Sequence, residues 1–231
     1  MPESDIGVHE VPHTILLLGT DASGKNHVAR LIQRNLEAMN CDLVVREGWL
    51  CGAIATANHH GDKGGLSLLA ERCFILLFPL IKWVLPLGMA VLLRWDAWRF
   101  KRSKQKTLVV SHNALRILAF YLGQNSRYLK SKTLPKWLEQ AICCIQRVSN
   151  AMVIVLDVED HTRQQRIQHR LNEGSIDPFD QFMANDSERS EQIEACLVHI
   201  ATHYYQAHLI ENNDLDDEAL WAQFQKACQK G

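Results

Sequence analysis

The chain has 231 residues and a mass of 26.4 kDa, with 47% hydrophobic and 22% charged residues. That is enough apolar material to offset the ordering of one large core, which excludes a disordered or fibrous protein. Lys+Arg 25 against Asp+Glu 26 leaves a formal charge of −1, so no global basic field points to nucleic acid as a partner.

In chain order, short apolar runs alternate with longer helical patterns, the grammar of an α/β protein. Strands are predicted at Thr14 to Leu18, Asp42 to Val45, Thr107 to Val110 and Met152 to Leu156, with a weaker one near Ala207 to Ile210. Helices are predicted at Lys25 to Met39, Ala114 to Gly123, Leu134 to Val148, His161 to Asn172, Ser187 to Tyr205 and Glu218 to Cys228. Runs this short and this apolar suit parallel strands covered on both faces, and ligands of such sheets sit at the strands' carboxyl ends.

One segment breaks this pattern. Cys73 to Leu93 is apolar on every side with a single charge, Lys82, and Arg94 to Lys106 follows with six basic residues, one acid, and Trp95, Trp98 and Phe100 between them. Two readings stand: a peripheral or re-entrant membrane attachment through 73–106, or a helical hairpin broken at Pro79, Pro86 and Gly88 that packs within the domain or at a dimer interface. A simple span is not expected, since it would separate the two halves of the chemistry described next.

The sharpest motif is Gly19-Thr20-Asp21-Ala22-Ser23-Gly24-Lys25, a G-x-x-x-x-G-K directly after a strand and directly before a helix. Glycines let backbone N–H groups fold around phosphate oxygens, the helix adds its positive N-terminal end, and the Lys25 ammonium reaches the outer phosphates. Gly19, Ala22, Ser23, Gly24, Lys25 and Asn26 are therefore the nucleotide-binding candidates. Asn26 stands where a Ser or Thr hydroxyl would coordinate Mg²⁺; its amide oxygen is a neutral acceptor. Asp157, closing an apolar strand, has the form of a second Mg²⁺ ligand, although capping of the following helix explains it equally.

The loop with Asp21 at its third position resembles that of thymidylate kinases within the P-loop nucleoside and nucleotide kinases. Further segments follow in the family's order: Leu69-Ala70-Glu71-Arg72, Lys106 to Asn113, Val153 to Val158, Asp177-Pro178-Phe179-Asp180, and the ending His208 to Asn212 with Leu215 to Leu220. The resemblance covers nearly the whole chain. It implies a P-loop NTPase fold, a parallel five-stranded sheet flanked by helices, with an arginine-bearing lid at about 160–186 and an apolar helical insertion at about 66–106, all in one domain over 1–231.

The resemblance implies an ATP-dependent phosphotransferase that uses Mg²⁺ and moves the γ-phosphoryl group to a small acceptor, a nucleotide or nucleoside. In such chemistry the protein acts chiefly by placing cations around the moving group. Lys25 and the lid arginines Arg163, Arg166 and Arg170 suit that task; spacings of three and four put the three on one helix face, with a solvated basic face as the bland alternative. On the acceptor side the resemblance assigns Asp21 and Arg72. Glu47, before Gly48 and Trp49, resembles the base of the nucleoside kinase branch. The family's Asp-Arg pair after the third strand is replaced by Ser111-His112, which leaves His112 as the acceptor-side candidate and removes a Mg²⁺-organising carboxylate. A lid Arg is replaced by Pro178.

Other polar clusters carry less. His59 and His60 lie in a Gly-rich loop that reads as solvated, and His199 and His203, one helical turn apart, read as helix surface. Seven cysteines form an odd set without C-x-x-C, the pair Cys143 and Cys144 reads as helix packing, and the polar start lacks a signal peptide's order. These features predict reduced thiols and a cytoplasmic protein, or one at the inner face of the membrane. The family implies a homodimer. Two alternatives to the plain kinase remain: a membrane-associated kinase of a lipid-linked acceptor, and a nucleotide-binding protein that has lost turnover.

Overall fold

Five short strands form a single parallel sheet in the order β2–β3–β1–β4–β5. In a computed structural model, the described residues are 11–19, 22–46, 72–73, 76–77, 79–80, 83–101, 107–111, 114–173, 181 and 185–229. The strands are β1 (Thr14–Leu18), β2 (Leu43–Arg46), β3 (Thr107–Val110), β4 (Met152–Asp157) and β5 (His208–Glu211). The helices are α1 (Lys25–Ala38), α2 (Leu85–Lys101), α3 (Ala114–Gly123), α4 (Ser126–Ser131), α5 (Lys136–Ser149), α6 (Asp160–Asn172), α7 (Ser187–Tyr205) and α8 (Asp217–Cys228).

The strands alternate their side chains between two cores, as the period of two requires. Leu16 and Leu18 of β1, Leu108 and Val110 of β3, and Val153 and Val155 of β4 face a cluster built by α2, α3, α5 and α7. Ile15, Leu17, Val109, Ile154 and Leu156 face the other way, onto Val28, Ile32 and Leu36 of α1 and Leu220 and Phe224 of α8. The register pairs Leu16 with Val110 on one side and Leu18 with Val155 on the other, so β1 is central and buried throughout. The chain leaves β1 toward β2 and β3, then returns to β4 and β5 on the opposite side. The carboxyl end of β1 is thus a point where connections diverge, which is where an α/β sheet opens a crevice.

The apolar insertion needs correcting on one point. Pro86 and Gly88 do not break a hairpin; both lie within α2. Pro86 sits in the first turn, where its missing N–H breaks no helical hydrogen bond. The inner stripe Leu85, Met89, Leu93 and Ala97 is buried in the first core, so this part of the insertion packs within the domain. Among the described residues, no helix is long and apolar enough to cross a membrane. Residues 66–71, 74–75, 78, 81–82 and 102–106 of the insertion, and 174–180 and 182–184 of the predicted lid, lie outside the described residues.

Candidate functional site

The turn from β1 into α1 is shaped by two glycines. Gly24 precedes α1 with φ 86°, ψ 16°, a left-handed conformation that disfavours any other residue. A Cβ there would also clash with the Asn212 side-chain amide. A Cβ on Gly19 would strike the Ser23 hydroxyl, so a larger residue there would have to displace the Ser23 side chain. Ala22 also adopts positive φ, 59°. Thr20 and Asp21 lie outside the described residues.

The N-cap of α1 is Gly24, which has no side chain to offer the first N–H groups of the helix, the arrangement that attracts an anion. Lys25, the first residue of the helix, is buried, and its ammonium donates to the Gly19 carbonyl at 2.9 Å and to the Ser23 hydroxyl at 3.4 Å. Asn26 is exposed in the next position.

Asn212, just beyond β5, ties this loop to the opposite half of the sheet. Its backbone N–H donates to the Asp157 carbonyl at 2.9 Å, and its buried side-chain amide donates to the Ser23 carbonyl at 2.7 Å. Its own carbonyl accepts from Arg166 at 2.8 Å. The same guanidinium donates to the Ala22 carbonyl at 3.3 Å and to Asp214 Oδ1 at 3.0 Å. Arg166 therefore bridges α6, the β1–α1 loop and the β5–α8 loop. Sequence reasoning singled out Arg166 but missed Asn212 and Asp214. The available signal was the Asn-Asn-Asp cluster at 212–214, which reads only as a turn.

Of the predicted trio of arginines, Arg166 and Arg170 line one cleft and Arg163 does not. Arg163 has a side chain only 2% exposed and pairs with Asp160 and with Glu194 of α7. Spacing placed it beside Arg166, but the acid on α7 draws it into the helix–helix packing instead, since a buried guanidinium requires a paired charge. Arg170, one turn further along α6, lines a cleft of about 590 Å³ together with Ala22, Gly24 and His27 on the loop side and Asn212, Asp214 and Leu215 beyond β5. His169 and Glu173 also border it and lie 3.3 Å apart. The opening of the cleft is contiguous with the α1 N-terminus.

The other candidates distribute as follows. Asp157 is exposed at the carboxyl end of β4, on the strand next to β1. Among the described residues, no group of three or more His, Cys, Asp or Glu side chains is gathered as a metal cluster. Arg72 is exposed. Glu47, His112, His59, His60 and residues 177–180 lie outside the described residues, while Ser111, preceding His112, is buried at the end of β3. His199 and His203 stack their rings at 5.4 Å on α7. Cys143 and Cys144 are half-buried in α5.

No protein-family model and no curated protein matches the chain. Solved structures do. A thymidylate kinase from Ehrlichia chaffeensis aligns over 95% of this chain and 100% of its own at 17% identity and TM-score 0.52. A thymidylate kinase from Candida albicans aligns over 95% and 92% at 12% identity and TM-score 0.50. The chain thus has a thymidylate kinase-like P-loop kinase fold, strongly diverged in sequence.

Proposed function

We propose that this chain is an ATP-dependent phosphotransferase that moves the γ-phosphoryl group of ATP to a small acceptor, a nucleotide or nucleoside. The observation that carries the reading is the buried Lys25 ammonium at the foot of a helix whose N-cap is a glycine, inside a loop that Asn212 braces. The Gly19 carbonyl and the Ser23 hydroxyl, both neutral, are among the acceptors of that ammonium. Phosphate oxygens would add an opposite charge to such bonds, which strengthens them.

In this reading the loop amides and Lys25 hold the β- and γ-phosphates, while the cleft beside Arg170 and His169 receives the rest of the nucleotide. Arg166 fixes the loop relative to α6 and acts as a positioning residue. Asn26 and Asp157 offer two exposed oxygen donors, a set consistent with a Mg²⁺ ion otherwise bound by water and phosphate oxygens. Bound there, the ion would neutralise charge on the transferring group. On the acceptor side the reading assigns Glu47 to take a proton from an acceptor hydroxyl and Asp21, Arg72 and His112 to contact the acceptor. The whole chain, 1–231, acts as one domain.

The test is transfer of label from γ-labelled ATP, with Mg²⁺, to a panel of nucleosides and nucleoside monophosphates. Labelled product is expected from the wild type, with a loss of about a hundredfold or more in Lys25→Ala. ATP binding without transfer to any acceptor would favour a second reading, a nucleotide-binding protein without turnover. Asn26 in the hydroxyl position and the commitment of Arg163 to Asp160 and Glu194 support that alternative.

A further inference from the structure

Where α2, α3, α4 and α5 meet, the structure holds a cavity of about 410 Å³ that the candidate site does not use. It shares no lining residue with the cleft beside Arg170. Pro86 of α2, Leu122 of α3 and Leu138 of α5 contribute to its apolar lining, and three aromatic rings, Tyr121, Tyr128 and Trp137, stand around it. Tyr128 is buried in the first core, whereas Trp137, 41% exposed, faces the open side. A space of this size suits a small-molecule ligand, and rings that turn about few bonds offer it fixed faces at little entropic cost.

The polar side chains of the wall are unequally satisfied. Asn125 accepts from the Arg127 and Tyr128 N–H groups at 3.1 and 3.3 Å and donates to the Tyr121 hydroxyl at 3.3 Å, while Thr133 donates to the Ser131 hydroxyl at 2.8 Å. What is left without a partner among the described residues is a set of donors: the Tyr121 O–H, the Trp137 indole N–H and the Arg127 guanidinium. No carboxylate is among the described residues that line the cavity. Residues 125–138 carry four cations, Arg127, Lys130, Lys132 and Lys136, all exposed, and no acid. The Lys132 ammonium lies 5.5 Å from the Tyr128 ring centroid. Glu139, the next acid along the chain, accepts from the Tyr204 hydroxyl of α7 at 3.2 Å and is committed there.

We propose that this cavity binds a planar aromatic anion. Its ring system would pack among the three aromatic side chains, and its acidic group would be taken by Arg127 with the Tyr121 and Trp137 donors beside it. Charge complementarity selects this occupant. A purely apolar ligand would cover the three donors without giving them an acceptor, which costs the desolvation of each. A cation would meet only like charge from Arg127 and its neighbours. The inference concerns a second ligand site and does not depend on the phosphotransferase reading.

The experiment titrates the full chain with anilinonaphthalene sulfonate, a planar aromatic anion, and with its neutral counterpart phenylnaphthylamine, each followed by its own fluorescence. The wild type should bind the sulfonate at a single site per chain, and Trp137→Ala should weaken both probes by about tenfold. Arg127→Glu should weaken the sulfonate by about tenfold and the neutral probe by less than about twofold. Both substitutions fall at exposed positions, so thermal midpoints should stay near that of the wild type. Should a variant fold poorly, the wild type alone supplies the charge test: added salt should weaken the sulfonate and leave the neutral probe unchanged. A chain that binds neither probe would overturn the proposal. So would equal losses of both probes in Arg127→Glu, or sulfonate binding that both variants retain. Sulfonate binding that is lost in Lys25→Ala would overturn it as well, by assigning the probe to the nucleotide loop.

Discussion

The Asn212 side chain donates a 2.7 Å hydrogen bond to the Ser23 carbonyl, joining residues 189 apart in the chain at the centre of the candidate site. Both groups are buried, so removing the donor strands a carbonyl. Asn212→Ala is expected to cost on the order of 1–3 kcal/mol of stability and to weaken ATP binding, measured by denaturant titration and calorimetry.

The same amide is what a Cβ at Gly24 would strike. Gly24→Ala alone should destabilise by about 1–3 kcal/mol through its positive φ plus that collision. Combined with Asn212→Ala, the collision disappears and only the backbone strain remains. A double-mutant cycle should therefore show the pair less destabilising than the two single changes added together.

Arg163 and Arg170 should separate stability from binding. Arg163→Met leaves Glu194 without its buried partner and is expected to cost on the order of 3–5 kcal/mol, with the ATP dissociation constant of the folded protein unchanged. Arg170→Ala, at the cleft, should leave the thermal midpoint near wild type and weaken ATP. Equal effects of both on binding would restore the convergent trio.

Leu93 and Val91 stand two residues apart on opposite sides of α2. Leu93 is fully buried, and Leu93→Ala should cost about 2–5 kcal/mol, whereas Val91→Ser should change stability by less than about 0.5 kcal/mol. The contrast, read by urea denaturation, tests whether half of the apolar insertion is core.

His199 titrates below its ordinary 6.5, chiefly because burial disfavours its charged form and secondarily because His203 and Lys132 add positive charge nearby. The unfolded chain then binds more protons than the folded one as pH falls below that value. Stability should decline from about pH 7.5 to pH 5.5, and His199→Gln should flatten part of that decline in a thermal series.

Much of the fold was legible because parallel strands covered on both faces read as short apolar runs. Thr14–Leu18 and Thr107–Val110 coincide with their predicted limits, and Ala114–Gly123 and Ser187–Tyr205 do so among the helices. α4 was not legible: six residues give no periodicity, and its start depends on Asn125 accepting from Arg127 and Tyr128 N–H groups. Over residues 85–93 of α2 the sequence is apolar all round, so it could not say which side the core takes. The turn that holds Gly19, Gly24 and Lys25 was legible from spacing because its geometry is local. Asn212 and the Arg163–Glu194 pair were not, because each partner lies on a distant segment that only the completed sheet and the α6–α7 packing bring near.

The most direct measurement is the thermal midpoint of wild type and Lys25→Ala with and without Mg-ATP. A ligand present at 100 times its dissociation constant stabilises the native state by about 2.7 kcal/mol, well within detection. A rise in wild type that is absent from Lys25→Ala is the expected result. No rise in wild type, or an equal rise in both proteins, would contradict a nucleotide site built on Lys25.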